Sequence, residues 1–410
     1  MRTKSLRIAV VTQKIVRHDG QGRVNAVVVD ELLRRGHEVV AIASELSDEL
    51  ARHPRLRWVR IDGGGVPTQL AKDQLFAWQA SRALARERRR RKDRPGKDQP
   101  GKDGPGIDRV VVNGFVSWAR SDVNAVHFVH SAWMRSPTHP IRKGVSPLSL
   151  YRALYTLLNV GFERWSFRRA GRLVAVSRTV ADELRRDGIA PVRLSVIDNG
   201  VDVEEFRPGT ADPALFGLPP GRPVALFVGD ARSDRKNLDG VLRALAEVPD
   251  LALAVVGDER GGPFPAMARA LGVEERVRFL GHRRDVAALM RAADLFVFPT
   301  RYEPFGLVLL EAAASGLPVV TTRLAGAGRL LEDGAAILLD RPDDHGELVQ
   351  AMRSLAADPA LRRRMGEAGR RIAESQDWSV TAGQYADLLE EPECAGRAVE
   401  GRGLLAGSAP

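Results

Sequence analysis

The run Phe296-Val-Phe-Pro-Thr-Arg-Tyr-Glu-Pro-Phe-Gly-Leu-Val-Leu-Leu-Glu-Ala-Ala-Ala-Ser-Gly-Leu-Pro-Val-Val-Thr321 reads as strand, tight loop, helix, turn and strand. Glu303 and Glu311 bracket the start of the helix with seven residues between them. Pro304 and Gly306 shape the loop, and a glycine there lets backbone N–H groups approach a ligand closely. A helix N-terminus carries free N–H groups and the positive end of the helix dipole, so it suits an anion. Glu311 shares a helix face with Leu307, four residues earlier. A carboxylate on a half-apolar face beside an anion site suits sugar or ribose hydroxyls. The implied ligand carries a diphosphate and hydroxyls, as a nucleotide sugar does.

Outward from this run, short β-branched segments alternate with amphipathic helical stretches along the 410 residues. Strands are expected at 8–11, 39–43, 57–61, 110–113, 125–129, 173–176 and 192–197, then at 224–228, 251–256, 277–280, 295–298, 319–321 and 336–339. That alternation implies two α/β domains built on parallel sheets. The first is expected at 1–195 and the second at 196–375, with a helix at 376–391. Residues 392–410 look like a disordered tail. The segment from about 88 to 108 repeats Pro-Gly-Lys-Asp and cannot offset its ordering entropy by burial, so it is expected as a disordered basic loop.

Composition narrows the class. A 44% hydrophobic content is that of a globular chain. The single cysteine, Cys394, rules out an intrachain disulfide and a cysteine-type zinc site. The N-terminal apolar run is too short for a signal peptide, and no stretch reaches the ~20 apolar residues that span a bilayer. A cytoplasmic location follows, with peripheral contact at the inner membrane face left open. Sixty-two Lys and Arg against 52 Asp and Glu give a net charge of +10, which favours anionic partners. No aromatic stacking platform accompanies the basic segment, so nucleic acid is not expected.

Glu303-Pro-Phe-Gly-Leu, Glu311-Ala, Gly316 and Pro318-Val-Val resemble the signature of the group 1, family four retaining glycosyltransferases of the GT-B fold. The likeness runs from about Arg7 to Leu389 and includes the hinge-like Asp198-Asn-Gly-Val-Asp202 before Pro208. It implies two Rossmann-like domains facing across a cleft, the first for the acceptor and the second for the donor. It also implies sugar transfer from a nucleotide sugar to an acceptor hydroxyl with retention, in polysaccharide, glycolipid or glycosylated-metabolite synthesis. A GT-B nucleotide-sugar epimerase and a basic polymer-binding protein are the alternatives.

The resemblance assigns roles residue by residue. Glu303 meets the transferred sugar and Glu311 the donor ribose. Phe305, Gly306 and Leu307 offer backbone amides to sugar and phosphate. Lys236 matches the lysine that clamps the diphosphate. The arginine usually found after the preceding glycine is Asp230 here, so Arg232 or Arg235 is expected to replace it, and Arg232 is taken for the site. Arg283 lies in a loop equivalent to one that reads the nucleobase. His130, at the end of an expected strand, matches a catalytic-cleft histidine, and strand alternation would turn His127 to the opposite face. Gly20 and Gly22 form a cleft glycine loop. They also begin a dinucleotide-like fingerprint with Glu45, but Asn25 stands where the third glycine belongs, which argues against a nicotinamide site. The helix from 148 to 165 carries Tyr151, Leu154, Tyr155, Leu158, Phe162 and Trp165 on one face, expected toward the core. No cofactor is expected. No Asp-x-Asp pair stands at a strand end, so no metal is expected to hold the diphosphate.

Overall fold

The computed structural model describes residues 5–17, 19–89, 106–218 and 221–392. The expected basic loop and tail fall mainly on 90–105 and 393–410, outside the described residues. Seven parallel strands form the first sheet: β1 (Arg7–Val11), β2 (Glu38–Ala43), β3 (Leu56–Arg60), β4 (Arg109–Asn113), β5 (Ser121–Val126), β6 (Ala170–Ala175) and β7 (Leu194–Val196). Six form the second: β8 (Val224–Val228), β9 (Ala252–Val256), β10 (Val277–Phe279), β11 (Leu295–Phe298), β12 (Val319–Thr322) and β13 (Ala336–Leu339). The orders are β3-β2-β1-β4-β5-β6-β7 and β10-β9-β8-β11-β12-β13, and every pairing is parallel. Both are doubly wound sheets whose order reverses beside the first strand, the place where such folds open a crevice for ligands.

The strands are runs of Val, Ile, Leu and Ala because helices cover both faces and leave no side for polar alternation. Val10 and Val39 pack on one face with α1 (Gly20–Arg34), while Ala9 and Val40 pack on the other with α2 (Gln69–Arg89). The core of the second domain continues through Val126, Val129 and Leu173 into the first. Helix α6 (Trp378–Glu390) lies against α1, with Tyr385 and Leu389 buried there and Arg35 bonded to Asp387 at 2.6 Å.

Two expectations need correction. Residues 127–129 do not continue β5. The strand stops at Val126, and His130 opens a short helix, α3 (His130–Arg135). The helix expected to face the core, α4 (Pro147–Arg169), is turned the other way. It buries Ser149, Thr156, Asn159, Glu163 and Ser166, while Tyr151, Leu154 and Leu158 are exposed. On the face expected inward, Tyr155 bonds Asp73 at 2.9 Å, and Phe162 and Trp165 pack in a ring cluster with Phe115 and Trp118.

Candidate active site

Beyond the C-terminal end of β1, Thr12, Gln13 and Lys14 lead to Asp19, which caps α1 by accepting a hydrogen bond from the Gly22 N–H at 2.8 Å. Gly22 is required by packing, since a Cβ there would lie 2.8 Å from Val16 Cγ2. Across the cleft, Gly306 adopts a left-handed conformation (φ 91°) and starts α5 (Leu307–Ala314). A Cβ on Gly20 would sit 3.3 Å from Leu307 Cδ1. The N-termini of α1 and α5 therefore meet face to face, one from each domain.

Between them lies a cavity of about 380 Å³. Gly20, Lys236, Glu303, Phe305, Gly306 and Leu307, all singled out from sequence, line it. Arg235 and His127 join them. Lys236 ends a single 3-10 turn and is buried, with Nζ paired to Glu303 Oε2 and 5.0 Å from the centroid of Phe298. Burial pulls the Lys236 ammonium below its ordinary pKa, and the Glu303 carboxylate opposes that. Tyr302 donates to Val129 O at 3.4 Å, and Ser177 donates to Pro304 O at 2.6 Å. These bonds hold the Glu303 loop against the first domain.

An adjoining cavity of about 330 Å³ lies on the first-domain side, at the ends of β1 and β4. Gly22, His127 and His130 line it with Asp73, Asn113, Tyr155 and Glu163. Asn25 explains why a third glycine is absent: its amide donates to Thr12 Oγ1 (3.1 Å) and Lys14 O (2.9 Å) and accepts from Asn113 Nδ2 (2.7 Å). The Asn113 amide lies 3.2 Å from His127 Nε2. Desolvation pushes His127 down to about 4, so the ring is neutral at neutral pH. His130 bonds to Glu163 twice, from the ring Nδ1 to Oε1 at 2.7 Å and from the backbone N–H to Oε2 at 2.9 Å. This fixes the ring and leaves Nε2 as its remaining polar atom. Both histidines reach the cleft, because the chain leaves the sheet before His127 and strand alternation no longer applies.

Three expected residues lie elsewhere. Glu311 is a turn further along α5 and does not line the cavity. It sits 4.0 Å from Arg23 Nη1, and burial pushes its carboxyl up to about 7, against the pull of Arg23 and with a push from Glu205. Arg232 turns away from the Lys236 cavity toward Asp258 at 3.4 Å, and Arg235 takes the place beside Lys236. Arg283 is held by Asp285 at 2.7 Å and lines neither cavity. Strand alternation turned His127 to the wrong face, and sequence reading passed over Asn113 and Glu163. Asn113, a polar residue ending an apolar strand, was the one visible signal. Glu163 gave none, since its partner lies 33 positions away. Among the described residues, no group of three His, Cys, Asp or Glu side chains could hold a metal ion.

Residues 211–372 match the family described as glycosyl transferases group 1, and residues 18–205 match glycosyltransferase family 4. The chain belongs to this glycosyltransferase family. Membership does not favour the epimerase reading. Among similar curated proteins, D-inositol 3-phosphate glycosyltransferase 2 of Catenulispora acidiphila is 37% identical over 257 residues, 58% of this chain and 60% of that one. The D-inositol 3-phosphate glycosyltransferase of Streptomyces bingchenggensis is 30% identical over 302 residues, 68% and 65% respectively. The chain thus spans about three fifths of the length of the first of these relatives. Two solved structures share the GT-B fold. WaaG, a glycosyltransferase involved in lipopolysaccharide biosynthesis, superposes with a TM-score of 0.70 at 22% identity, over 93% of this chain and 99% of that one. The sucrose-phosphate synthase of Thermosynechococcus elongatus gives 0.72 at 20%, over 93% and 98%.

Proposed function

We propose that this protein transfers a glycosyl group from a nucleotide sugar to an acceptor hydroxyl with retention at the anomeric carbon. The first domain (about 1–195) holds the acceptor and the second (196–375) the donor. The observation that carries the reading is the meeting of two helix N-termini with Arg235 and Lys236 on one cavity. Two dipole ends and two cations form a built receptor for a diphosphate. They stabilise the charge that develops as the bond from the anomeric carbon to phosphate breaks.

Glu303 sits against Lys236, placed to accept from hydroxyls of the transferred sugar. Glu311, one turn along α5, takes the ribose hydroxyls once Arg23 yields. His127 and His130 line the acceptor cavity, where His130 is oriented by Glu163 to bond a sugar hydroxyl near the reacting carbon. The acceptor oxygen bonds the anomeric carbon on the face the leaving group departs from, and its proton passes to the departing phosphate oxygen. The positive charge already gathered at the diphosphate supports a chemical step without a divalent metal.

The acceptor class is open to two readings. The names of the curated relatives point to an inositol phosphate. The cavity beside His130 collects the carboxylates of Asp19, Asp73 and Glu163 against the single ammonium of Lys14, which favours an uncharged, hydroxyl-rich head over a phosphate. We place the reaction in the cytoplasm. Among the described residues no helix is long and apolar enough to cross a membrane.

A thermal-shift screen of nucleoside diphosphates and nucleotide sugars tests the donor half. A ligand at ~100 times its dissociation constant adds about 2.7 kcal/mol. No shift with any member of the panel refutes the proposal. Release of nucleoside diphosphate that depends on added polyol or glycoside acceptors, followed by chromatography, tests the other half.

A further inference from the structure

Helix α4 is amphipathic in the inverse sense. Its buried face is polar, with Ser149, Thr156, Asn159 and Glu163 turned into the protein. On the opposite face Leu150 is 52% exposed, Leu154 54% and Leu157 58%. Val145, just before the helix, is 78% exposed, and Leu148 in its first turn is 56% exposed. Seven of the twelve exposed large hydrophobic side chains among the described residues fall between Val145 and Leu158. Scattered exposed leucines are ordinary, but a contiguous patch on one helix marks a contact surface.

Charge identifies what the surface meets. From Ser131 to Phe162 the chain contains no Asp or Glu, and it carries Arg135, Arg142, Lys143 and Arg152. Arg142 and Arg152 are exposed at the edge of the patch, while Lys143 pairs with Asp234 across the cleft. The only carboxylate of α4, Glu163, is buried on its inner face. An apolar stripe flanked by cations, in a segment that carries no exposed acid of its own, suits an anionic lipid surface, where leucines enter the acyl boundary and arginines meet phosphates. The patch is also continuous with the cleft. A groove of about 1000 Å³ runs from His130 past Trp133 and Arg152 to Val145 and Leu148.

We infer that α4 seats the protein on an anionic bilayer, with Leu150, Leu154 and Leu157 in the acyl boundary and the mouth of the groove at the headgroups. That orientation puts the acceptor side of the proposed transferase within reach of a lipid that stays in its membrane. This last step rests on the function proposed above, but the docking itself does not.

Flotation with vesicles of equimolar phosphatidylglycerol and phosphatidylcholine tests the inference on the full chain. The wild-type protein should float with these vesicles, and roughly tenfold less with pure phosphatidylcholine, because two arginines at the surface each favour anionic lipid. The double substitution Leu154→Glu, Leu157→Glu should lower partitioning roughly a hundredfold or more. Its unfolding temperature and its shift with nucleoside diphosphate should be unchanged, since both leucines are exposed and remote from the donor cavity. If the wild-type protein stays with the soluble fraction, or the double variant floats equally well, the inference is overturned. It is equally overturned if sedimentation shows a wild-type dimer that the substitutions dissolve, because the patch is then covered by a second copy. Loss of docking with intact nucleotide binding would leave the proposed function standing, and loss of nucleotide binding in the wild-type protein would remove that function while docking could still be scored.

Discussion

His127 offers a test whose size follows from the structure. Its ring lines both cavities of the cleft, and Nε2 accepts from the Asn113 amide at 3.2 Å. Desolvation holds its pKa at about 4 in the folded protein against an ordinary 6.5. Between these values the unfolded chain takes up a proton that the folded chain refuses. Stability from this residue is therefore complete above about pH 6.5 and is lost as pH falls toward 4. The linkage amounts to about 2 kcal/mol at pH 5 and about 3 kcal/mol at pH 4. The ring keeps some contact with cleft solvent, so about 1–2 kcal/mol at pH 5 is expected.

The perturbation is His127→Gln, which keeps an acceptor for Asn113 and removes the titration. Urea unfolding of both proteins from about pH 7.5 to 4.5 gives the difference in stability at each pH. Any constant cost of repacking cancels in the slope of that difference. Other titrating groups cancel too, including Glu311, whose raised pKa acts in the opposite sense and favours the folded state as pH falls from about 7. The variant should gain on the wild type by about 1–2 kcal/mol between pH 7 and 5. A difference that stays flat over that range would mean the ring is already protonated or well solvated in the folded protein, and the neutral-histidine account of the cleft would fail.

Arg235→Ala should weaken nucleoside-diphosphate binding by roughly ten- to a hundredfold, as a lost charge-assisted hydrogen bond does, while Arg232→Ala should change it less than threefold; the reverse ranking in calorimetry would restore Arg232 to the site. Glu311→Gln should raise thermal stability at about pH 8, where a carboxyl with a pKa of about 7 is charged and desolvated, and still cost about 1.5–3 kcal/mol of nucleotide-sugar binding. Equal donor affinity of variant and wild type would take Glu311 out of the donor site. Transfer should persist in excess EDTA, because Arg235, Lys236 and two helix N-termini supply charge at the diphosphate. Complete loss that is restored by manganese would refute that accounting, with Asp230 and Asp234 as the first ligands to substitute.

The sequence alone carried whatever depends on neighbours along the chain. Thirteen short apolar strands separated by helices specify two doubly wound sheets, because a strand covered on both faces must be apolar throughout and a parallel crossover must contain a helix. The run from Glu303 to Glu311 was equally local: a glycine with positive φ, a helix start and a carboxylate one turn on are all set by spacing. Partnerships between distant segments could not be read this way. His130 depends on Glu163, Asn25 on Asn113, and the choice of Arg235 over Arg232 on which side of a loop faces the other domain. The periodicity of α4 showed that the helix has two faces but could not say which one is buried. Packing against the polar cleft decided it, since Glu163 and Tyr155 find partners inside in His130 and Asp73 and the leucines are left outside.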